Sequence, residues 1–145
     1  YENSCKGIAF TSTINEEYKY SNQYIQVYQL TSDLIILLNS VNDLLNTNFN
    51  NIIIHYFKDG ATYCNPSLDN NNYLITKNIS IIPYGKERVF RVRDKVNKHI
   101  IVDIPIHSNT LLSIDGTFKE DFTYEIPKKN PLKGSTYLFT FIHHK

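Results

Sequence analysis

The hydrophobic pattern changes period once along the chain, close to residue 50. Before that point, Leu34, Leu37, Leu38, Val41, Leu44 and Leu45 recur at helical spacing and form one apolar stripe. This spacing predicts a helix over residues 31–46, with Thr31, Ser32 and Asp33 as candidate N-caps and the leucine stripe in the core. After Asn51 the pattern becomes short β-branched and aromatic runs broken by turn residues. It predicts strands at Ile52–Phe57, Tyr73–Thr76, Ile79–Pro83, Arg88–Arg93, Ile100–Ile104, Thr110–Ile114, Phe122–Ile126 and Ser135–Ile142. Asp59-Gly60, Tyr84-Gly85, Asp115-Gly116 and Pro127–Gly134 mark turns between them, and Asp69–Asn72 reads as a polar loop. Residues 1–23 have no clear period and read as an irregular or weakly extended segment. The predicted class is mainly β with one N-terminal helix: a sandwich or jelly-roll-like barrel with the helix packed outside.

Length and charge narrow the picture. A chain of 145 residues accommodates one domain, taken as 1–145, and is too short for two ordinary ones. The formal net charge of +1 provides no global field for a nucleic acid or an anionic membrane, so any such binding must rest on a local patch. No apolar run approaches the ~18 residues of a membrane span, and no membrane partner is expected. The chain has no Met and begins at Tyr1, which reads as an excised domain or a processed product. Cys5 and Cys64 are too few for a disulfide framework and read as reduced thiols in an intracellular setting, cytoplasm or nucleus. The excess of Asn, Ile, Tyr and Lys fits an AT-rich genome, as in some parasites and large DNA viruses, so the cell is expected to be a parasite or a virus-infected one.

Several motifs stand in a recognisable order. The run from Asn48 to Gly60 (NFNNIIIHYFKDG) follows the predicted helix. Ile79-Ser80-Ile81 leads into Arg88-Val89-Phe90-Arg91-Val92-Arg93. Ile104-Pro105 is followed by Thr110–Gly116, then by Tyr124-Glu125-Ile126-Pro127-Lys128, and last by Ser135–Phe141 ending in Phe139-Thr140-Phe141. From about residue 18 to the end, this series resembles the AlkB-like branch of the iron- and 2-oxoglutarate-dependent dioxygenases. The resemblance implies a double-stranded β-helix, in agreement with the strand pattern.

The same resemblance implies where the chemistry should be. A non-haem iron site of this kind uses two His and one carboxylate on one face of the metal. The positions that match are Ser67, Asp69 and Tyr124, so one carboxylate stands without its two imidazoles. Neither a Ser hydroxyl nor a neutral phenol replaces an imidazole well. The positions that match the 2-oxoglutarate set read His55, Phe57, Thr136, Leu138 and Ile142, with no cation to clamp a dianion. The expectation is a chain with no catalytic residue, no metal and no cofactor, and with no small-molecule substrate. A shifted site built from Asp69, His55 and His107 is the atypical-ligand alternative, and a Cys64–His pair is weaker still. Asp69 also reads as a plain turn residue, and His143-His144 as a solvated end.

Binding is left as the expected role. Arg88, Arg91, Arg93, Lys95 and Lys98 form the densest basic cluster, and Arg91, Arg93 and Lys95 share one face at a period of two. That stripe reads either as a phosphate contact or as a solvated strand face. Tyr18, Tyr20, Tyr24 and Tyr28 read as rim packing, with base stacking as the alternative. The expected function is a non-catalytic binding module for nucleic acid or for a protein of a nucleic-acid-processing complex. The alternatives are a structural or host-interaction scaffold, and a demethylase with atypical ligands.

Overall fold

The computed structural model describes residues 5–12, 19–20, 23–24, 26–64 and 78–143. The helix α1 spans Ser32–Leu45, within one residue of the predicted range at each end. Thr31 caps it, its side chain accepting from Leu34 N at 3.3 Å, and Asn46 ends it in the left-handed region at φ 53°. Leu38 and Val41 are buried, with Leu34, Leu37 and Leu45 half-buried beside them. Leu44 departs from the predicted stripe: it lies at the stripe's margin in the last turn and is 73% exposed.

The first correction concerns the N-terminal segment. Residues 6–11 form a strand, β1 (Lys6–Thr11), antiparallel to β5 (Asn51–Phe57). Its register comes from Gly7, Ala9 and Thr11 facing the core, a pattern too short and too small-residued to read as alternation. The backbones of β2 (Lys19–Tyr20) and β3 (Gln23–Tyr24) form a small antiparallel pair. Next comes β4 (Gln26–Gln29), parallel to β1.

The remaining strands are β6 (Ile79–Gly85), β7 (Arg88–Asp94), β8 (Ile100–Ile106), β9 (Leu112–Ile114), β10 (Phe122–Glu125) and β11 (Thr136–Ile142). Each lies where a strand was predicted, with shifted ends. The strand predicted at Tyr73–Thr76 lies outside the described residues. β9 is shortened because Thr110 N turns back onto His107 O. A one-turn helix, α2 (Phe118–Asp121), precedes β10 and was not predicted.

The strands make two facing sheets, one six-stranded in the order β4-β1-β5-β11-β6-β9 and one three-stranded in the order β10-β7-β8. Ile53, Phe57, Ile79, Ile81, Leu138 and Ile142 of the larger sheet meet Phe90, Val92 and Ile106 of the smaller between them. The outer face of the larger sheet carries α1, which covers Ile52 and Phe141 together with Phe49. Coverage on both faces explains why β5 reads as a continuous apolar run rather than an alternating one. No helix among the described residues is long and apolar enough to cross a membrane.

Two cross-links close one end of the barrel. Arg88 is fully buried, and its guanidinium donates to the carbonyls of Asp59 (3.0 Å), Thr62 (2.6 Å) and Pro127 (2.9 Å). It also lies 4.9 Å from the centre of the Phe57 ring. Gly60 sits in the same knot, where a Cβ would fall 1.9 Å from Lys129 O. Only glycine admits that approach. The second cross-link is a disulfide between Cys5 and Cys64, whose Cα atoms are 5.4 Å apart. This overturns the reading of both cysteines as reduced, and with it the cysteine argument for an intracellular chain. The 59-residue separation hid the contact, which the β1–β5 pairing creates.

Candidate functional site: the barrel interior

Four of the five co-substrate positions come together, and the fifth, Ile142, lies apart from them. Phe57 pairs with Thr136, and His55 pairs with Leu138 one rung on. Ile142 is the partner of Asn51 at the far end of the same two strands. At a period of two, all five side chains face the interior. They are packed: Phe57 and Ile142 are 0% exposed, Thr136 1%, Leu138 4% and His55 9%. Thr136 Oγ1 donates to Lys86 O at 2.7 Å. His55 lies opposite Gly7, where a Cβ would fall 3.1 Å from its ring. Burial lowers the His55 pKa from 6.5 to about 4, so the imidazole is neutral. Asn51 adds a buried amide, whose Nδ2 donates to Asn50 Oδ1 while its own Oδ1 is buried without a partner.

Tyr124 stands on β10 opposite Val92, so it faces the interior as the resemblance requires of the second ligand position. Its ring stacks on Phe90, with centroids 4.9 Å apart and planes at 19°, and Phe118 lies 6.3 Å away. Ser67 and Asp69 lie outside the described residues. Among the described residues, no group of three His, Cys, Asp or Glu is placed to hold a metal. Among the described residues, the wall offers 2-oxoglutarate no cationic partner: it presents a neutral imidazole, one hydroxyl and three hydrocarbon side chains, whereas a dianion is held by cationic donors. The Arg88 guanidinium beneath Phe57 is already bound to three carbonyls.

Of the shifted site, Asp69 lies outside the described residues, and the two histidines do not come together. His107 is exposed beyond β8, its Nδ1 2.8 Å from Ser108 O, and is not on the interior wall with His55. Cys64 is held in the disulfide, so it supplies no thiolate for a Cys–His pair. His143 is half-buried with its Nδ1 enclosed, not solvated, because it follows the buried end of β11; His144 lies outside the described residues.

The basic cluster is also redistributed. Arg88 is corrected from a phosphate contact to a core residue, since β7 turns residues 88, 90 and 92 inward. Arg91 and Arg93 do share the outward face. Arg91 forms a bidentate pair with Asp103 at 2.8 and 2.9 Å, and Arg93 pairs with Glu125 at 2.6 Å. Arg91 holds the Asp103 carboxyl below its usual range. Lys95 and Lys98 lie in the turn after β7 and donate to the carbonyls of Lys119 and Lys95. Of the candidate tyrosines, Tyr28 is 47% exposed beside Phe10, and the side chains of Tyr18, Tyr20 and Tyr24 lie outside the described residues. One feature escaped the sequence reading: Tyr56, Tyr137 and Tyr84 line up on the outer face of the larger sheet. The three come from strands far apart in the sequence, and only the pairing of β5, β11 and β6 brings them into line.

Solved structures of similar fold place this architecture. The AlkB homologue OsALKBH1 matches with a TM-score of 0.59 and 10% identity, over 82% of this chain and 66% of that one. The ribosomal oxygenase YcfD from Escherichia coli, in complex with cobalt and 2-oxoglutarate, matches with a TM-score of 0.51 and 16% identity. That match covers 76% of this chain and 28% of YcfD, so the chain spans a minority of that protein's length. No protein-family model matches the sequence, and no curated protein does. The chain shares a jelly-roll fold with these two oxygenases.

Proposed function

We propose that this chain is a non-catalytic AlkB-like domain that acts as a binding module for nucleic acid or for a protein of a nucleic-acid-processing complex. The observation that carries the reading is the filled inner face. His55, Phe57, Thr136 and Leu138 converge on the inner face, Ile142 lies further along the same two strands, and none of the five carries a positive charge. Tyr124 supports it from the opposite sheet, with its ring stacked on Phe90 rather than offering an imidazole. The test is incubation with Fe(II), ascorbate, oxygen and 2-oxoglutarate, with and without a methylated single-stranded oligonucleotide. Succinate should stay at the level of the protein-free control. Succinate formed in proportion to protein would overturn the reading and favour a demethylase with atypical ligands.

A second reading, a protein-binding scaffold for a structural or host-interaction role, rests on a different surface. β8 is an edge strand of the smaller sheet, and its Ile100 (49%), Ile101 (53%) and Val102 (43%) are exposed beside Val96 at 90%. An exposed apolar edge is a surface on which an extended segment of another protein pairs. Tight protein binding lost on Ile101→Lys, without any oligonucleotide binding, would favour it.

A further inference from the structure

We infer that the outer face of the six-stranded sheet, beyond the end of α1, is a docking platform for single-stranded nucleic acid. The inference names the partner class and surface for the binding part of the function proposed above. It does not depend on the loss of catalysis, because the platform lies on the opposite face from the barrel interior.

Two rows of side chains cross β5, β11 and β6 on that face, and a third group lies at their rim. The first is Ile54–Phe139–Ile82, half-buried against the cluster under α1. The second is Tyr56–Tyr137–Tyr84, in direct register. These tyrosines are 41%, 38% and 65% exposed, and the Tyr56 and Tyr137 rings are 5.0 Å apart. The third group lies at the rim just past the strand ends: Lys58 follows β5, Ser135 precedes β11, and Lys86 follows β6, its N donating to Ser135 O and its side chain lying over Gly134. Lys6, opposite Tyr56 on β1, extends the tyrosine row. Lys6, Lys58 and Lys86 are exposed, and among the described residues none is held in an ion pair. No carboxylate occupies any position of the second row or of the third group.

Each part of this surface matches one part of a single strand. The tyrosines present π-faces on which unpaired bases stack, with little preference for sequence. Three strands at roughly 4.8 Å spacing give a row about 10 Å across, enough for two or three bases, as on other sheet platforms that bind RNA. The lysines stand to one side, where a backbone running past the stacked bases would carry its phosphates. A duplex hides its base faces and is disfavoured. The β7 arginines fit less well, because Arg91 and Arg93 are already neutralised by Asp103 and Glu125.

The test is fluorescence anisotropy of fluorescein-labelled ten-nucleotide oligo(U) and oligo(dT), with a labelled duplex as comparison. Single strands should bind more tightly than the duplex. For three phosphate contacts, log K should fall with log salt at a slope near −2. The chain has 11 Tyr and no Trp, so tyrosine emission is read directly and should be quenched on binding. Tyr137→Ala and Tyr84→Ala should each weaken binding about five- to a hundredfold, and Tyr137→Phe should retain it. The joint change Lys58→Gln and Lys86→Gln should bring the slope to about −0.7. Tyr84 is the most exposed of the three, so Tyr84→Ala reads the platform even if Tyr137→Ala disturbs folding, and circular dichroism checks both. No oligonucleotide binding at low salt would overturn the platform, as would binding that ignores both tyrosines. A protein partner lost on Tyr84→Ala, without oligonucleotide binding, would overturn it too. Each of those results leaves the succinate assay unchanged, so failure of the platform is distinguishable from failure of the non-catalytic reading.

Discussion

His55 and Arg88 are both buried in the barrel, with opposite charge states. Unfolded, His55 titrates near 6.5, whereas in the fold burial lowers its pKa to about 4. Between these values the unfolded chain binds the extra proton, so stability is complete above pH 6.5 and falls as the pH drops towards 4. The loss from this group is at most about 3 kcal/mol. His55→Gln should flatten the pH dependence of the denaturation midpoint across that window, and an unchanged slope would contradict the burial of a neutral imidazole. Arg88 remains charged, although burial lowers its pKa from the usual value. Arg88→Met removes the guanidinium donors from the carbonyls of Asp59, Thr62 and Pro127, of which Asp59 keeps the bond from Thr62 N, at about 3 kcal/mol by urea denaturation. Arg88→Lys should recover little of this, since one ammonium cannot span the three acceptors as a fork does. The sequence showed Arg88 as one of five clustered cations and as the first residue of the Arg88–Arg93 motif. What it lacked was the phase of β7, which separates residues 88, 90 and 92 from Arg91 and Arg93.

At the scale of elements, α1 and most strands after residue 50 were legible because their periods and turn residues are clear: Thr31 at the cap, Gly85 at the turn, and β-branched runs between. β1 was not legible. Its inward residues are Gly7, Ala9 and Thr11, small because they face His55, Ile53 and Asn51, and small residues give no hydrophobic alternation. Of the inward positions that the resemblance singled out on β5 and β11, His55 pairs with Leu138 and Phe57 with Thr136, while Ile142 lies at the other end. The charge pairs on β7 were invisible for another reason, since their partners Asp103 and Glu125 come from β8 and β10. Both pairs are partly exposed. Arg91→Ala should therefore change stability by less than about 1 kcal/mol, measured by chemical denaturation. A much larger loss would mean that the strand pairing itself depends on the bidentate contact.

The whole molecule is held at its margin by the Cys5–Cys64 disulfide, which ties the start of β1 to the stretch after β5. A cross-link spanning 59 residues constrains the unfolded chain by about 4 kcal/mol on a chain-entropy view. Dithiothreitol, or the joint change Cys5→Ser and Cys64→Ser, should lower the melting temperature by several degrees or more, and an unmoved melting temperature would argue against the pairing. The fold of the oxygenases and the side chains of its interior point in different directions. The scaffold residues Gly60 and Arg88 sit in one closed knot, while Tyr124 presents a phenol stacked on Phe90 and the wall around His55 carries no cation. The most direct test is thermal denaturation of metal-stripped protein with Mn(II) and 2-oxoglutarate, separately and together, alongside metal analysis after dialysis. The expected result is an unchanged melting temperature and far less than one metal per chain. A stoichiometric metal, with a melting temperature raised further by 2-oxoglutarate, would contradict the account.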